Sequence, residues 1–245
     1  MTRKIFLITV VLSVWIIQFA CKENDTKAPI TTVRFNNIED TVQHDDIKFP
    51  DDGVERDVPG IFKDYVLYKE RHKVYSALKI GSIENGYDSL QIRIDGNEYK
   101  ELSNGWSRLL VFYNNGNWNA DAYYIRFAGE DGFILIIDSL QYQKYSLGVP
   151  RSGWLGFIDT LKQLGLFTLP DYHDVPGYAK SHTSTHATFY NVEIATEKSY
   201  RIFSYLGPAT RTKQFKEAEK FMKIMSFIKN EFIFPEPWTP DHETD

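Results

Sequence analysis

Alternation of apolar and polar residues marks strands in the middle of the chain. Leu90, Ile92 and Ile94 alternate with polar neighbours, which predicts a strand with one buried face. Asp95-Gly96 comes next and predicts a hairpin turn. Strand-forming residues then recur in three runs, at 109–113, 122–127 and 133–137. Turns rich in Asn, Gly and Asp separate the runs, so these segments predict an antiparallel meander.

A helical spacing replaces this alternation after residue 150. Apolar residues share one helix face at Trp154, Phe157, Ile158, Leu161 and Leu164. Ser152 is a suitable N-cap, and Gly165 stands where a left-handed C-terminal residue is expected. A second amphipathic helix is predicted from Phe215 to Phe232, and Pro235 cannot continue it.

Two further strands are predicted between these helices, at 188–194 and 200–204, with a short turn near Glu197. The stretch from Ile61 to Ile80 is rich in Tyr and Val, which favour strands. The order of elements predicts an α+β fold, an antiparallel sheet (meander plus later hairpin) with two helices packed on one face. We place this single domain at residues 59–234.

The N-terminus has the composition of an export signal. Arg3 and Lys4 precede an uncharged apolar stretch that ends at Ala20, and 16 residues from Ile5 to Ala20 are fewer than the about 20 of a spanning helix. A small residue directly before the chain's single cysteine indicates cleavage between Ala20 and Cys21, with a lipid on the Cys21 thiol. Gln18, three residues before Cys21, departs from the usual pattern. An uncleaved anchor with a free thiol is the alternative.

The residues that follow the cysteine are Cys21-Lys22-Glu23-Asn24-Asp25. With the signal peptide, this start resembles the surface lipoproteins of the Bacteroidetes, in which a Lys or Gln precedes acidic residues. The resemblance implies a cell-envelope protein, an outer-membrane lipoprotein displayed on the outer face. A polar tether without any address is the alternative interpretation.

Charge divides the chain into a tether, a domain and a tail. Residues 22–58 carry ten acidic and five basic side chains, so 21–58 is predicted to be an acidic flexible tether, and the Pro-rich acidic residues 235–245 a disordered tail. Residues 59–245 are nearly neutral, which excludes the basic stripe that nucleic-acid binding requires. An acidic calcium loop in the tether is an alternative for Asp45, Asp46, Asp51 and Asp52.

No catalytic motif is present, and three weaker candidate sites remain. Three histidines would form a zinc site only if a loop brought them together: His173, His182 and His186. Acids near strands are candidates for glycoside hydrolysis: Asp121, Asp131 and Asp138. Aromatic residues near the first turns are candidate ligand-binding residues: Trp106, Tyr113 and Trp118.

These observations favour a non-enzymatic protein-binding or accessory module without a cofactor, held at the membrane by its N-terminal lipid. A mature chain whose only cysteine carries lipid has no thiolate nucleophile. A glycan-binding surface lipoprotein that uses loop aromatics is the first alternative, and an envelope hydrolase is the second.

Overall fold

In the computed structural model, the described residues form a central sheet of eight strands. The structure describes residues 28–35, 47–63, 65–101, 104–128, 137, 139–181 and 187–235. The strands are β1 (Thr31–Arg34), β2 (Glu55–Asp57), β3 (Leu90–Glu101), β4 (Asn104–Asn114), β5 (Trp118–Ala128), β6 (Ser139–Ser146), β7 (Phe189–Thr196) and β8 (Ser199–Leu206). The α-helices are α1 (Tyr65–Ala77), α2 (Gly153–Gln163), α3 (Pro208–Arg211) and α4 (Lys216–Glu231), and short 3₁₀ turns lie at Gly60–Lys63 and Leu166–Thr168.

The strand order is β1-β6-β5-β4-β3-β7-β8-β2. Strands β3 to β6 are sequential antiparallel neighbours, and β7 and β8 form a later hairpin that pairs through β7 with β3. The predicted meander and hairpin are therefore confirmed as parts of one α+β fold. The only parallel pair among the described strands joins β2 to β8. Most of the strand predicted at 133–137 lies outside the described residues.

Both edges of the sheet come from the stretch for which we expected a tether. Strand β1 pairs antiparallel with β6, and β2 pairs with β8 at the opposite edge. Parts of the stretch 21–58 therefore belong to the sheet, while residues 21–27 and 36–46 lie outside the described residues. The tail from residue 236 onward lies outside them as well.

Helices α2 and α4 cover one face of the sheet, as predicted. Phe157 and Leu161 of α2 and Phe221 of α4 are fully buried against the apolar residues that alternate along β3, β4, β7 and β8. Gly165 adopts the left-handed conformation with φ 86° at the end of α2. Both helices lie where their apolar period indicates, but Ser152 does not cap α2 with its side chain, because its hydroxyl donates to Glu231 instead.

The opposite face is covered by α1, which corrects the expectation of strands at Ile61–Ile80. Tyr75 of α1 and Leu78 just after it pack on Leu109 and Tyr123 of the sheet. Tyr and Val favour strands only as half-buried sheet residues, and tertiary packing here overrides that preference. Gln91 and Arg93 on the polar side of β3 are therefore buried too, although the alternation indicated solvent.

Asp95-Gly96 does not form the predicted turn, because both residues lie inside β3. Gly96 pairs with Arg108 on one side and with Tyr190 on the other. A Cβ at Gly96 would lie 2.8 Å from the Tyr190 ring, so the glycine provides room for that ring rather than a reversal of the chain.

Among the described residues, none of the helices has the length and apolar character that a membrane span requires.

Candidate functional site

Three exposed apolar residues lie within four residues, along the chain, of one backbone contact between the start of α2 and the end of α4. Val149, Leu155 and Ile233 are 71%, 81% and 82% exposed, and of the large apolar residues that the structure describes only Ile30 is also exposed. The Arg151 amide donates to the Glu231 carbonyl, at 3.1 Å, which brings the start of α2 beside the end of α4. We call Val149, Leu155 and Ile233 the apolar patch.

Polar contacts fix the backbone under the apolar patch. The Glu231 carboxylate accepts hydrogen bonds from the amide and the hydroxyl of Ser152, at 2.7 and 2.8 Å. The Trp154 ring lies 6.1 Å from that of the buried Phe232. Hydrogen bonds between Arg151, Ser152 and Glu231 thus join the two helix ends that flank the apolar patch.

The predicted aromatic ligand residues do not form one platform. Trp118 is half-buried, and its ring stacks on that of Trp154, with centroids 5.5 Å apart. Tyr113 belongs to the core on the other face of the sheet, where its hydroxyl donates to Asp121 at 3.2 Å. Trp106 lies in β4 opposite Arg126, and its side chain is outside the described part. The face of Trp118 that packs on Trp154 is not available to a sugar ring.

A buried network of charges joins α1 to β3, β7 and β8. It comprises six side chains, which we call the Glu193 cluster: Arg71, Tyr75, Glu84, Arg93, Glu193 and Tyr200. The hydroxyls of Tyr75 and Tyr200 both donate to the Glu193 carboxylate, the second at 2.6 Å. Arg71 pairs with Glu84 at 2.5 Å. Glu193 is only 2% exposed, so its charge is balanced inside the protein.

The two arginines of the cluster flank Glu193 at longer range. Arg71 Nε and Arg93 Nη1 lie 3.8 and 3.9 Å from its carboxylate oxygens, and the Arg93 guanidinium lies over the Tyr75 ring at 4.6 Å. Arg93 also donates to the carbonyl of Gly81 and to Gln91. With two cations and two carboxylates the cluster is neutral, which reduces the cost of burial. Its two carboxylates are buried and bonded to other side chains of the protein, so the cluster connects the helix to the sheet.

Burial changes the acid–base behaviour of the cluster. It raises the pKa of Tyr75 and of Tyr200 well above the usual value, and the negative charge of Glu193 adds to the effect. Burial would also raise the pKa of Glu84, but the hydrogen bond from His72 and the positive charge of Arg71 outweigh it, and the pKa is lowered. The phenols therefore stay neutral donors and Glu84 stays ionised near neutral pH.

We expect the Glu193 cluster to make the fold sensitive to alkali. The folded pKa of Tyr200 lies above its unfolded value near 10, so its contribution is complete below about pH 10 and is lost as the pH rises beyond it. Tyr200→Phe should reduce the slope of the free energy of unfolding between about pH 10 and 11 by up to about 1.4 kcal/mol per pH unit. Urea titrations across that range measure the slope, and parallel curves for the two proteins would contradict the expectation.

The predicted histidine site is only partly described. His173 Nδ1 contacts the Asp171 carboxylate at 2.7 Å, and the other carboxylate oxygen accepts bonds from the amide and hydroxyl of Ser204, at 2.7 and 2.9 Å. In a catalytic triad the histidine stands between the serine and the acid. Here the acid stands between them and Ser204 is fully buried, so these three residues hold a loop on β8.

His182 and His186 lie outside the described residues, as do Asp131, Asp138 and Cys21. Within the described part, no group of three or more acids, histidines or cysteines is arranged to hold a metal ion. Asp121 contacts Lys144 at 3.0 Å. In the stretch considered for calcium, Arg56 forms a bond of 2.6 Å with Asp52 and lowers its pKa to about 2.

Sequence reasoning missed both the apolar patch and the Glu193 cluster. Leu155 carried a signal, since it is an apolar residue off the face formed by Trp154, Phe157 and Ile158. Val149 and Ile233 lie in irregular segments and carried none. Arg93 and Glu193 are direct neighbours across β3 and β7, a relation that requires knowledge of the strand pairing.

No protein-family model, curated protein or solved structure matches this chain. The proposals below therefore depend on its own residues and geometry.

Proposed function

We propose that this protein is an envelope lipoprotein without catalytic activity, whose domain binds another protein through the apolar patch. The supporting observation is that the exposed Val149, Leu155 and Ile233 all flank the backbone contact that joins the start of α2 to the end of α4. Single exposed apolar residues are ordinary on protein surfaces, whereas grouped ones are typical of interaction sites. The partner would therefore present an apolar contact surface of its own.

The described polar side chains support a binding role rather than chemistry. Glu193, the most buried acid of its cluster, is satisfied by two phenols, and Asp171 by backbone and side-chain donors. A general acid or base has to reach a substrate, and both groups are 2% exposed. The proposal accordingly gives these acids structural roles.

The membrane address in this proposal comes from the sequence. The positively charged start, the short apolar stretch and the cysteine after Ala20 support a lipid on Cys21, and Lys22 to Asp25 support display on the outer membrane. The partner would then be a protein of the cell envelope.

Site-specific photo-crosslinking in intact cells tests the binding role. A photoreactive residue at Leu155 should give one dominant adduct of defined mass, because this side chain projects from the apolar patch. The same residue at Gln163, an exposed position at the other end of α2, is the matched control and should not give that adduct. Equal adducts at both positions, or none at Val149, Leu155 and Ile233, would argue against the patch as a binding surface.

A charge in the apolar patch provides a second readout. Leu155→Lys should abolish the adduct formed from a photoreactive residue at Ile233, while Gln163→Lys should leave it intact. Both variants should retain the wild-type stability, since surface changes usually alter it by less than about 0.5 kcal/mol. Adduct formation with isolated polysaccharide instead of a protein would support the glycan alternative.

A further inference from the structure

The first residue that the structure describes, Ala28, is held against the sheet. Its carbonyl accepts a hydrogen bond from Gln143 Nε2 at 2.7 Å, and Gln143 is only 2% exposed. Three residues later β1 begins, with Thr31 opposite Tyr142 of β6. The chain is therefore held at the β1–β6 edge from Ala28 to Arg34.

This attachment limits how far the domain can stand from a lipid on Cys21. Ala28 is seven residues beyond Cys21, and seven extended residues span at most about 25 Å. If the whole stretch 21–58 were a free tether, its 38 residues would reach about 130 Å. The pairing of β1 thus shortens the maximum reach about fivefold.

We propose that the β1–β6 edge is the membrane-proximal surface of the domain, which the anchor holds close to the lipid surface. This inference rests on the lipid anchor in the proposed function. Seven strand intervals of about 4.8 Å separate β1 from β2, so the β8–β2 edge lies roughly 34 Å farther across the sheet. One edge of the domain thus faces the bilayer and the other extends away from it.

Pro235, the last residue that the structure describes, lies near the same strands. Tyr124 donates to the Pro235 carbonyl at 2.9 Å, and Tyr124 is the direct neighbour of Gln143 across β5 and β6. Ile233 of the apolar patch is only two residues before Pro235, which is about 7 Å of chain. A protein that contacts the patch would therefore meet it close to the membrane surface, as a membrane protein or another anchored protein does.

Energy transfer to the bilayer tests the orientation. A fluorophore is attached through an azido amino acid either at Ser146, exposed on β6, or at Lys198, exposed in the β7–β8 turn. The mature lipoprotein is reconstituted in vesicles that contain an acceptor lipid. Transfer from position 146 should be at least about twofold greater than from position 198, given the width of the sheet. Equal transfer, or greater transfer from 198, would overturn the inference.

A length variant supplies the control. Insertion of 20 Gly and Ser residues between Lys27 and Ala28 adds a coil of about 25 Å, so transfer should fall at position 146 and the two positions should become similar. Unchanged transfer after the insertion would mean that the chain before Ala28 does not set the distance, and would also overturn the inference.

The lipid and the orientation are tested separately. The intact mass of the protein from native membranes should show acyl chains on Cys21, and their absence would refute the anchor in the proposed function. Residues 21–245 coupled through the Cys21 thiol to a maleimide lipid give the same two transfer values without natural lipidation. If the mass shows acyl chains but energy transfer is equal from positions 146 and 198, the orientation alone is refuted. If the mass shows no acyl chain but transfer in the maleimide-coupled protein is greater from position 146, the natural anchor alone is refuted.

Discussion

Glu193→Ala is expected to destabilise the domain by about 3–5 kcal/mol, because the variant leaves the buried guanidinium of Arg93 without its carboxylate partner. Arg93 is 1% exposed and lies in β3, which is paired with a strand on each side. The hydroxyls of Tyr75 and Tyr200 would lose their acceptor as well. A loss of this size is a large part of the stability of an ordinary domain. Urea denaturation at neutral pH measures it.

Two further variants separate the loss of charge balance from the loss of contacts. Glu197→Ala, at an exposed position in the turn after β7, should change the free energy of unfolding by less than about 0.5 kcal/mol. Arg93→Leu combined with Glu193→Leu should restore much of the loss, since removal of both members of a buried pair costs less than removal of one. If Glu193→Ala changed the free energy of unfolding as little as Glu197→Ala, the Glu193 cluster would not stabilise the contact between helix and sheet.

Local signals account for the elements that were predicted correctly. Helices α2 and α4 each carry a one-sided apolar period, and the sheet strands β4 and β5 are bounded by Asn- and Gly-rich turns. Such signals lie within a few residues of the element that they define. The packing of the rest of the chain therefore does not override them.

Contacts between distant residues account for what was missed. Helix α1 is rich in Tyr and Val, yet Arg71 in it meets Glu193, more than a hundred residues away. The alternation in β3 indicated solvent for Gln91 and Arg93, yet both are buried, and Arg93 lies over Tyr75 of α1 and beside Glu193 of β7. Strands β1 and β2 come from an acidic stretch whose composition indicates a tether, and pairing with β6 and β8 orders them. None of these pairings can be read from a local period.

The candidate site was predictable only in part. Leu155 lies off the apolar face of α2, which sequence reasoning can recognise, whereas the contact between the start of α2 and the end of α4 depends on how the two helices pack. Trp118 was expected to be a surface aromatic because its loop is polar. The stacking of its ring on Trp154 joins it instead to the core between helix and sheet.

Asp171→Ala is the second variant for which we expect a large effect, a loss of about 2–6 kcal/mol in the free energy of unfolding. Strand β2 pairs with β8 only from Ser199 to Arg201, so the outer edge of β8 continues beyond it. There the Asp171 carboxylate accepts a hydrogen bond from the Ser204 amide, and the Tyr172 amide donates one to the Ser204 carbonyl. The segment that contains Asp171 thus serves as the missing neighbour of an edge strand.

Removal of this carboxylate would leave the buried amide and hydroxyl of Ser204 without an acceptor, and each unsatisfied buried donor costs about 1–3 kcal/mol. Asp174→Ala, at an exposed position in the same loop, is the matched control and should be close to neutral. Amide hydrogen exchange adds a local readout, since the Ser204 amide should lose protection in Asp171→Ala and keep it in Asp174→Ala. Unchanged protection at Ser204 would mean that backbone pairing alone closes this edge, and that Asp171 serves chiefly to orient His173.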